Sequence, residues 1–184
     1  MLFRSILEGE DKHRFITFEQ ALTHARRALE LAPGSVDARY WIAAAAGRRA
    51  HRTEPTYSTR LAREVYEQAT AILAVDSLHA GAHHALGMVH AEAMRAPAWV
   101  RFIATRVLRM DLARVANWAD AERHLSRAVQ LDTAMILYAV DLIDVYGSLG
   151  RVARRDSLVT RLRTLPLRHP ADSLLRLRSL KSLK

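Results

Sequence analysis

The stretch ADAERHLSRAVQLDTAMILYAVDLIDVYGSLG, residues 119–150, decides the fold. Its apolar residues recur every three to four positions in two blocks separated by Asp132-Thr133, which is the spacing of two amphipathic helices joined by a short turn. The same pair of patterns begins at residues 17–31 and again at residues 62–77, each time followed by a second helical block. The sequence therefore predicts a helix–turn–helix unit that is repeated three times along the chain.

The interval between equivalent positions identifies the repeat. Leu86-Gly87 stands between His83 and His90 at the spacing of the tetratricopeptide signature. A small or β-branched residue of one helix precedes an apolar residue of the next helix by 21 residues in three copies: Ala21 and Ile42, Val65 and Leu86, and Ala121 and Leu142. On these residues the chain is similar to tetratricopeptide-repeat proteins.

This similarity predicts an all-α fold, a right-handed α-solenoid of tetratricopeptide-like helix pairs with a helical insertion and a C-terminal capping helix. We expect a single domain over residues 1–184, and Ser35, after the break at Pro33-Gly34, is placed to cap a helix. The predicted parts are helix pairs at about 3–31, 36–75, 79–131 and 135–165, insertions at about 48–60 and 96–116, and a cap at 171–184.

Both insertions fall in the turn within a repeat, where the extra segments of repeat proteins often bind ligands. The first is polar and turn-like, with Thr53-Glu54-Pro55-Thr56. The second reads APAWVRFIATRVLRMDLARVA and is apolar and basic. We expect a helix over about 97–115 that folds back against the neighbouring repeats and leaves Trp99 at least half buried.

Composition excludes several classes of protein. The chain has seven glycines, five prolines and no cysteine, which argues against disorder, a disulfide scaffold and thiol chemistry. No apolar run reaches the ~18 residues that a membrane span needs. Gly9-Glu10-Asp11 is typical of a turn and leaves only residues 2–9 as a first helix, which predicts an incomplete first repeat or a true start upstream. The expected location is cytoplasmic by default, and export is the open alternative if the true N-terminus lies upstream.

The net charge of +9 is unevenly distributed along the chain. Residues 1–149 hold 18 basic and 17 acidic side chains, whereas residues 150–184 hold 10 basic and 2 acidic side chains. A basic end can attract an anionic membrane surface or an acidic protein, or serve only as a solvated face. Because the basic residues have no interleaved aromatic residues and no recognisable motif, the pattern disfavours a nucleic-acid partner.

Three longer stretches indicate a more specific family than tetratricopeptide-repeat proteins in general. They are ARRALELAPGSVDARYWIAAAAGRRA (25–50), DSLHAGAHHALGMVHAEAMRAPAWVRFIATRVL (76–108) and ADAERHLSRAVQLDTAMILYAVDLIDVYGSLGR (119–151). In these stretches the chain resembles bacterial relatives of the regulator of microtubule dynamics protein family. Eukaryotic members of that family are membrane-contact and cytoskeleton-associated proteins, and the resemblance implies lipid binding by the helical domain of at least one member.

The residues that could carry chemistry do not form a catalytic set. The sequence has no nucleophile elbow, glycine-rich phosphate loop or HExxH pattern, and the carboxylate pair Asp141 and Asp144 has no visible acid or base partner. His79, His83 and His90 share one helix face and could in principle bind zinc, but His83 and His90 fill packing positions of the repeat. We therefore predict packing histidines, no metal, no cofactor and no enzymatic activity.

A binding surface is better supported by the pattern. The first helices of tetratricopeptide pairs line a concave groove, and extended surfaces of that kind bind peptides. We therefore expect a non-catalytic scaffold or adaptor with a protein or peptide partner. The phase of the repeat assigns to the groove Tyr40, Ala44, Arg48, His84, Met88, Glu92, Val140, Asp144 and Gly147.

The alternative hypothesis is a lipid or apolar-ligand binding or transfer protein. In that case the 96–116 insertion would act as a lid or membrane contact, with basic residues beside its apolar arc. The apolar side chains that would contact the ligand, or dock on a partner, are Trp99, Phe102, Ile103 and Met110. The pattern does not define an oligomeric state.

Overall fold

The computed structural model describes residues 2–50, 54–97, 101, 115–168 and 171–181, and every secondary-structure element in these ranges is an α-helix. The predicted all-α fold is therefore confirmed. The helices are α1 (Leu2–Leu31), α2 (Val36–Ala50), α3 (Pro55–Val75), α4 (Ala80–Arg95), α5 (Trp118–Leu131), α6 (Ile136–Ser148), α7 (Val152–Thr164) and α8 (Asp172–Lys181).

The chain divides into two compact units, Met1–Ser77 and Leu78–Lys184. In unit 1, helix α2 packs against both α1 and α3. In unit 2, α5 packs against α4 and α6, α6 packs against α7, and α8 lies mainly on α6. Helices that follow one another in sequence are thus packing partners within each unit, as in tetratricopeptide pairs.

The equivalent repeat positions are core positions. Ile42, Leu86 and Leu142 are all buried, as are Val65 and Ala121. These equivalent positions are each on the buried face of their helix. The interval between them is constant because the same face is buried in each copy of the repeat.

Helix ends follow local hydrogen-bond rules. The Ser35 hydroxyl oxygen accepts the Ala38 N–H at 3.1 Å, so the predicted cap of α2 is confirmed. Asn117 caps α5 in the same way, its Oδ1 accepting the Asp120 N–H at 2.7 Å. At the end of α6, Gly150 has φ of 65°, and the next residue donates its N–H to the Tyr146 carbonyl at 2.9 Å. That left-handed position favours glycine because other residues would be strained there.

The helix pair α4–α5 depends on the glycine of the repeat signature. A Cβ atom at Gly87 would lie 2.6 Å from Leu125 Cγ and 3.0 Å from the Leu125 backbone nitrogen. Only a residue without a side chain permits this approach. The Leu-Gly dipeptide therefore marks the place where the two helices meet.

Two predicted breaks are helical in the structure. Gly9-Glu10-Asp11 lies inside α1, so the range 3–31 is one helix and not a pair. A single interior glycine costs a helix only ~1 kcal/mol, which flanking helix-forming residues offset. The predicted 48–60 insertion is also largely helical: residues 48–50 belong to α2 and residues 55–60 belong to α3. Helix α3 begins at Pro55, with Glu54 as an extended N-cap. Proline favours the first turn of a helix because its missing N–H is not needed there.

The predicted capping helix is α8. Its Leu175 and Leu180 pack against a cluster formed by α6 and α7, whereas Leu174 and Leu177 are exposed. The buried members of that cluster are Ile136, Ala139, Val140, Ile143, Val159 and Leu162. No helix within the described ranges is long and apolar enough to cross a bilayer.

Candidate functional site

A polar contact joins α4 to α6 on the face that was predicted to bind a partner. His84 Nε2 lies 2.6 Å from Asp141 Oδ2, and both side chains are 17% exposed. The Tyr138 ring stacks on the His84 imidazole, with 4.6 Å between ring centroids and 29° between planes. The carboxylate and the aromatic ring together hold the imidazole in one orientation while leaving part of it accessible.

Helical spacing brings these groups together. His79 begins α4 by accepting the Ala82 N–H on its own Nδ1 at 3.1 Å. His84 and Met88 follow on this helix four residues apart, and so they share a face. On α6, Tyr138 and Asp141 are three residues apart and reach the same imidazole.

The other predicted residues of this face differ in their surroundings. Met88 is half-buried and packs against the core between α5 and α6. The Glu92 carboxylate accepts a hydrogen bond from Arg95 at 2.5 Å. Asp144 is exposed. The structure thus leaves His84, Met88, Glu92 and Asp144 at least partly open to solvent.

Val140 occupies a different environment from the open groove position that the repeat phase assigned to it. Its side chain is 8% exposed and belongs to the cluster that α7 and α8 cover. The reason is its place in the last repeat, where the capping helix packs against α6.

Asp141 was not predicted as a binding residue. Its pairing with Asp144 was considered only for catalysis, because a carboxylate pair three residues apart suggested acid–base chemistry. The available signal was its spacing from Asp144, since residues three apart on a helix lie on the same face.

In unit 1 the open face of α2 carries an aromatic residue that the repeat phase did not select. Trp41 is 60% exposed, and its ring is tilted by 56° against the ring of half-buried Tyr40, with 5.6 Å between centroids. Arg48 is exposed and Ala44 is half-buried. Trp41 lies seven residues before Arg48, which places both exposed side chains on one face of α2.

The remaining predicted histidines pack between α4 and α5. His83 Nδ1 lies 2.9 Å from Nδ1 of His124, and the rings of His90 and His124 stack with centroids 6.1 Å apart. Within the described ranges, no group of three or more histidine, cysteine or carboxylate side chains is arranged so that it could hold a metal ion.

Burial shapes the charge state of these rings. Desolvation, reinforced by the neighbouring Arg123 guanidinium, lowers the pKa of His124 to about 4. Burial also lowers the pKa of His90, which the Asp120 carboxylate partly opposes. Both imidazoles are therefore neutral near pH 7.

The proposed apolar-ligand residues of the second insertion, Trp99, Phe102, Ile103 and Met110, lie outside the described residues, as does the predicted helix over most of 97–115. Among the described residues, the candidate site is the α4–α6 face with His84, Met88, Tyr138, Asp141 and Asp144.

The chain matches the model of one protein family over nearly its whole length. The model of the family "Regulator of microtubule dynamics protein 1-3" matches residues 4–184. The chain belongs to this family. The resemblance predicted from the three longer sequence stretches is confirmed, and this member of the regulator of microtubule dynamics family is built from tetratricopeptide-like helix pairs.

Two further comparisons concern individual proteins. No curated protein matches this family member significantly. Among solved structures, a thermophilic tetratricopeptide-repeat protein of Thermus thermophilus is 21% identical, with 95% of each chain covered and a TM-score of 0.46.

Proposed function

We propose that this protein is a non-catalytic interaction protein that binds an extended peptide segment on the α4–α6 face of unit 2. The observation that carries the proposal is the His84 imidazole, which Asp141 and Tyr138 hold in a fixed orientation at a partly exposed position. A preorganised polar group beside accessible apolar surface is typical of peptide-binding residues, because little side-chain entropy remains to be lost on binding.

The chemistry of this face defines the partner further. Met88 offers a flexible apolar contact, and such side chains adapt to different ligands. The carboxylates of Asp141 and Asp144 outnumber the basic groups of the site, so its electrostatics favour a neutral or basic peptide over an acidic one. On α2 of unit 1, exposed Trp41 and Arg48 provide a second candidate contact surface.

The test is selection of peptides from a random library by the full-length chain, followed by calorimetric measurement of the dissociation constant. We expect His84→Ala to weaken binding of a selected peptide by about tenfold or more, as truncation of a central contact residue does. The control is Gln130→Ala, which changes an exposed residue at the end of α5 and should leave the dissociation constant unchanged. Circular dichroism of each variant verifies that the helices remain formed.

Failure to select any peptide would contradict the proposal, and so would equal affinities of the His84→Ala variant and the wild-type chain. The alternative of lipid or apolar-ligand binding depends on residues outside the described ranges, and no described contact favours it. A lipid found by native mass spectrometry of the purified protein, together with an empty peptide selection, would support that alternative.

A further inference from the structure

Three imidazoles meet in the contact between α4 and α5. His83 and His90 come from α4, and His124 comes from α5, where it is 7% exposed. His83 and His124 face each other through the same kind of atom, their Nδ1 nitrogens lying 2.9 Å apart. A contact this short requires one nitrogen to donate a proton and the other to accept it.

The neighbouring groups determine which nitrogen donates. The guanidinium of Arg123 lies 3.1 Å from Nε2 of His124. Because a guanidinium has only donors, that Nε2 must be unprotonated, and neutral His124 must carry its proton on Nδ1. His83 Nδ1 then accepts this proton in the hydrogen bond, which places the proton of neutral His83 on its own Nε2.

The third ring follows the same logic. His90 Nδ1 lies 3.4 Å from the Asn117 backbone nitrogen, whose N–H can only donate. The neutral form of His90 that suits this contact carries its proton on Nε2. Its ring stacks on that of His124 with only 9° between the planes, so a charge on either ring would face the other.

We propose that the His83–His124 contact is a pH-sensitive joint between α4 and α5, closed while at least one of the two imidazoles is neutral and opened when both are protonated. Protonation of His124 alone puts an N–H against the Arg123 guanidinium and leaves the Nδ1–H···Nδ1 hydrogen bond in place. Protonation of His83 as well puts a second N–H against the Nδ1–H of His124. The second protonation therefore replaces the hydrogen bond between the helices by two opposed donors and two positive charges within a buried contact.

The charged groups around the joint are already engaged. Arg123 itself and Asp120 lie on α5, where Arg123 donates to the Asp120 carboxylate at 2.6 Å. On α4, Glu92 accepts from Arg95 at 2.5 Å.

The charged residues of α6 and α7 in unit 2 also have partners away from the His83–His124 contact. Asp141 on α6 contacts His84 at 2.6 Å. Arg154 on α7 donates to Glu122 of α5 at 2.6 Å, and Arg151 joins it there. The Asp120 carboxylate acts to raise the pKa of His90 and of His124, but burial outweighs it and both pKa values are lowered.

The test uses nuclear magnetic resonance of the full-length wild-type chain. Long-range nitrogen–proton spectra at pH 7.5 should show the Nδ1–H tautomer at His124 and the Nε2–H tautomer at His83. Between pH 7.5 and pH 5, amide protection in α4 and α5, corrected for intrinsic exchange rates, should fall by at least about tenfold. An Nε2–H tautomer at His124, or protection in these helices that does not change with pH, would overturn the proposal.

Variants separate the joint from other effects of pH. His124→Asn keeps a neutral polar group near the Nδ1 position, and in this variant protection of α4 and α5 should depend much less on pH in this range, with buried His90 supplying the remainder. His24→Asn, on the exposed side of α1, is the control and should retain the wild-type behaviour. Protection that depends on pH as strongly in a folded His124→Asn variant as in the wild-type chain would contradict the assignment. If that variant does not fold, the tautomers and protection of the wild-type chain decide the question.

Discussion

At Gly87 the absence of a side chain sets how closely α4 and α5 approach. The nearest atoms include the backbone nitrogen of Leu125, which cannot move without shifting its helix. The glycine of the repeat signature is therefore a steric requirement of this helix pair, and not a requirement for an unusual backbone conformation, because position 87 is in regular helix.

Gly87→Ala should destabilise the protein by about 1–3 kcal/mol, because the new methyl group overpacks the contact. Urea denaturation followed by circular dichroism measures the change. Gly147→Ala is the matched control, since a Cβ there meets nothing within 4 Å. Alanine favours a helix over glycine, so the control should be neutral or slightly stabilising. Equal loss of stability in both variants would contradict the steric argument.

Among elements, α5 and α7 are joined by a buried carboxylate. Glu122 is 9% exposed, and its Oε1 accepts hydrogen bonds from Arg151 at 2.9 Å and from Arg154 at 2.6 Å. These two arginines belong to the basic C-terminal stretch, for which the sequence suggested attraction of anions or a solvated face. Part of that positive charge instead holds α7 onto α5.

Glu122→Ala should lower the free energy of unfolding by about 1–3 kcal/mol, because two arginines lose their acceptor. Thermal unfolding monitored by circular dichroism provides the measurement. Asp156→Ala removes a carboxylate paired with the adjacent Arg155, and since this carboxylate is exposed we expect a change within about 0.5 kcal/mol. A Glu122→Ala variant as stable as the Asp156→Ala variant would show that the buried carboxylate contributes nothing.

The terminal helices α7 and α8 depend on their apolar contacts. Leu162 is fully buried in the cluster between α6 and α7, whereas Leu177 on α8 is 56% exposed. Leu162→Ala should cost about 2–5 kcal/mol through loss of burial and creation of a cavity, and Leu177→Ala should cost less than about 0.5 kcal/mol. Urea denaturation measures the free energy of unfolding of both variants. Similar losses at both sites would indicate that α8 buries a different face.

For the whole molecule, acid stability should depend on the buried histidines. The pKa of His124 is about 4 in the folded chain and about 6.5 when the ring is exposed, so the unfolded state binds more protons between these values. This stabilisation is fully present above pH ~6.5 and is lost as the pH falls toward 4. His90 acts in the same direction, because its pKa is also lowered.

The midpoint of thermal unfolding should therefore fall by roughly 5 °C between pH 7.5 and pH 5. His124→Asn should reduce this dependence, whereas the His24→Asn control should keep it. Hydrogen bonds from Arg123 and Asn117 lower the pKa of Asp120 below its ordinary value of 3.8. Protonation of Asp120 therefore reduces the stability of the protein only below pH 3.8, outside the range from pH 7.5 to pH 5. A wild-type midpoint that is flat from pH 7.5 to pH 5 would contradict the prediction.

The sequence by itself determined the helical-repeat fold, the family and the core positions of the repeat. Helical periodicity and the 21-residue interval are local properties, because burial of one helix face recurs wherever the same packing recurs. The interval identified Ile42, Leu86 and Leu142 as equivalent positions, which are buried in the structure, and the break after Pro33-Gly34 placed Ser35 at a helix start. The same local signals failed at Gly9-Glu10-Asp11, where one weak helix former was outweighed by its neighbours.

Only the tertiary structure decided which side chains face the open surface and how the polar groups pair. Trp41 is exposed and Asp141 is half-buried beside His84, whereas coverage by α7 and α8 buries Val140. The contacts His84–Asp141 and His83–His124 join residues 57 and 41 positions apart. Periodicity within one helix carries no information about the rotation of its neighbour, so such pairs exist only once the helices have packed.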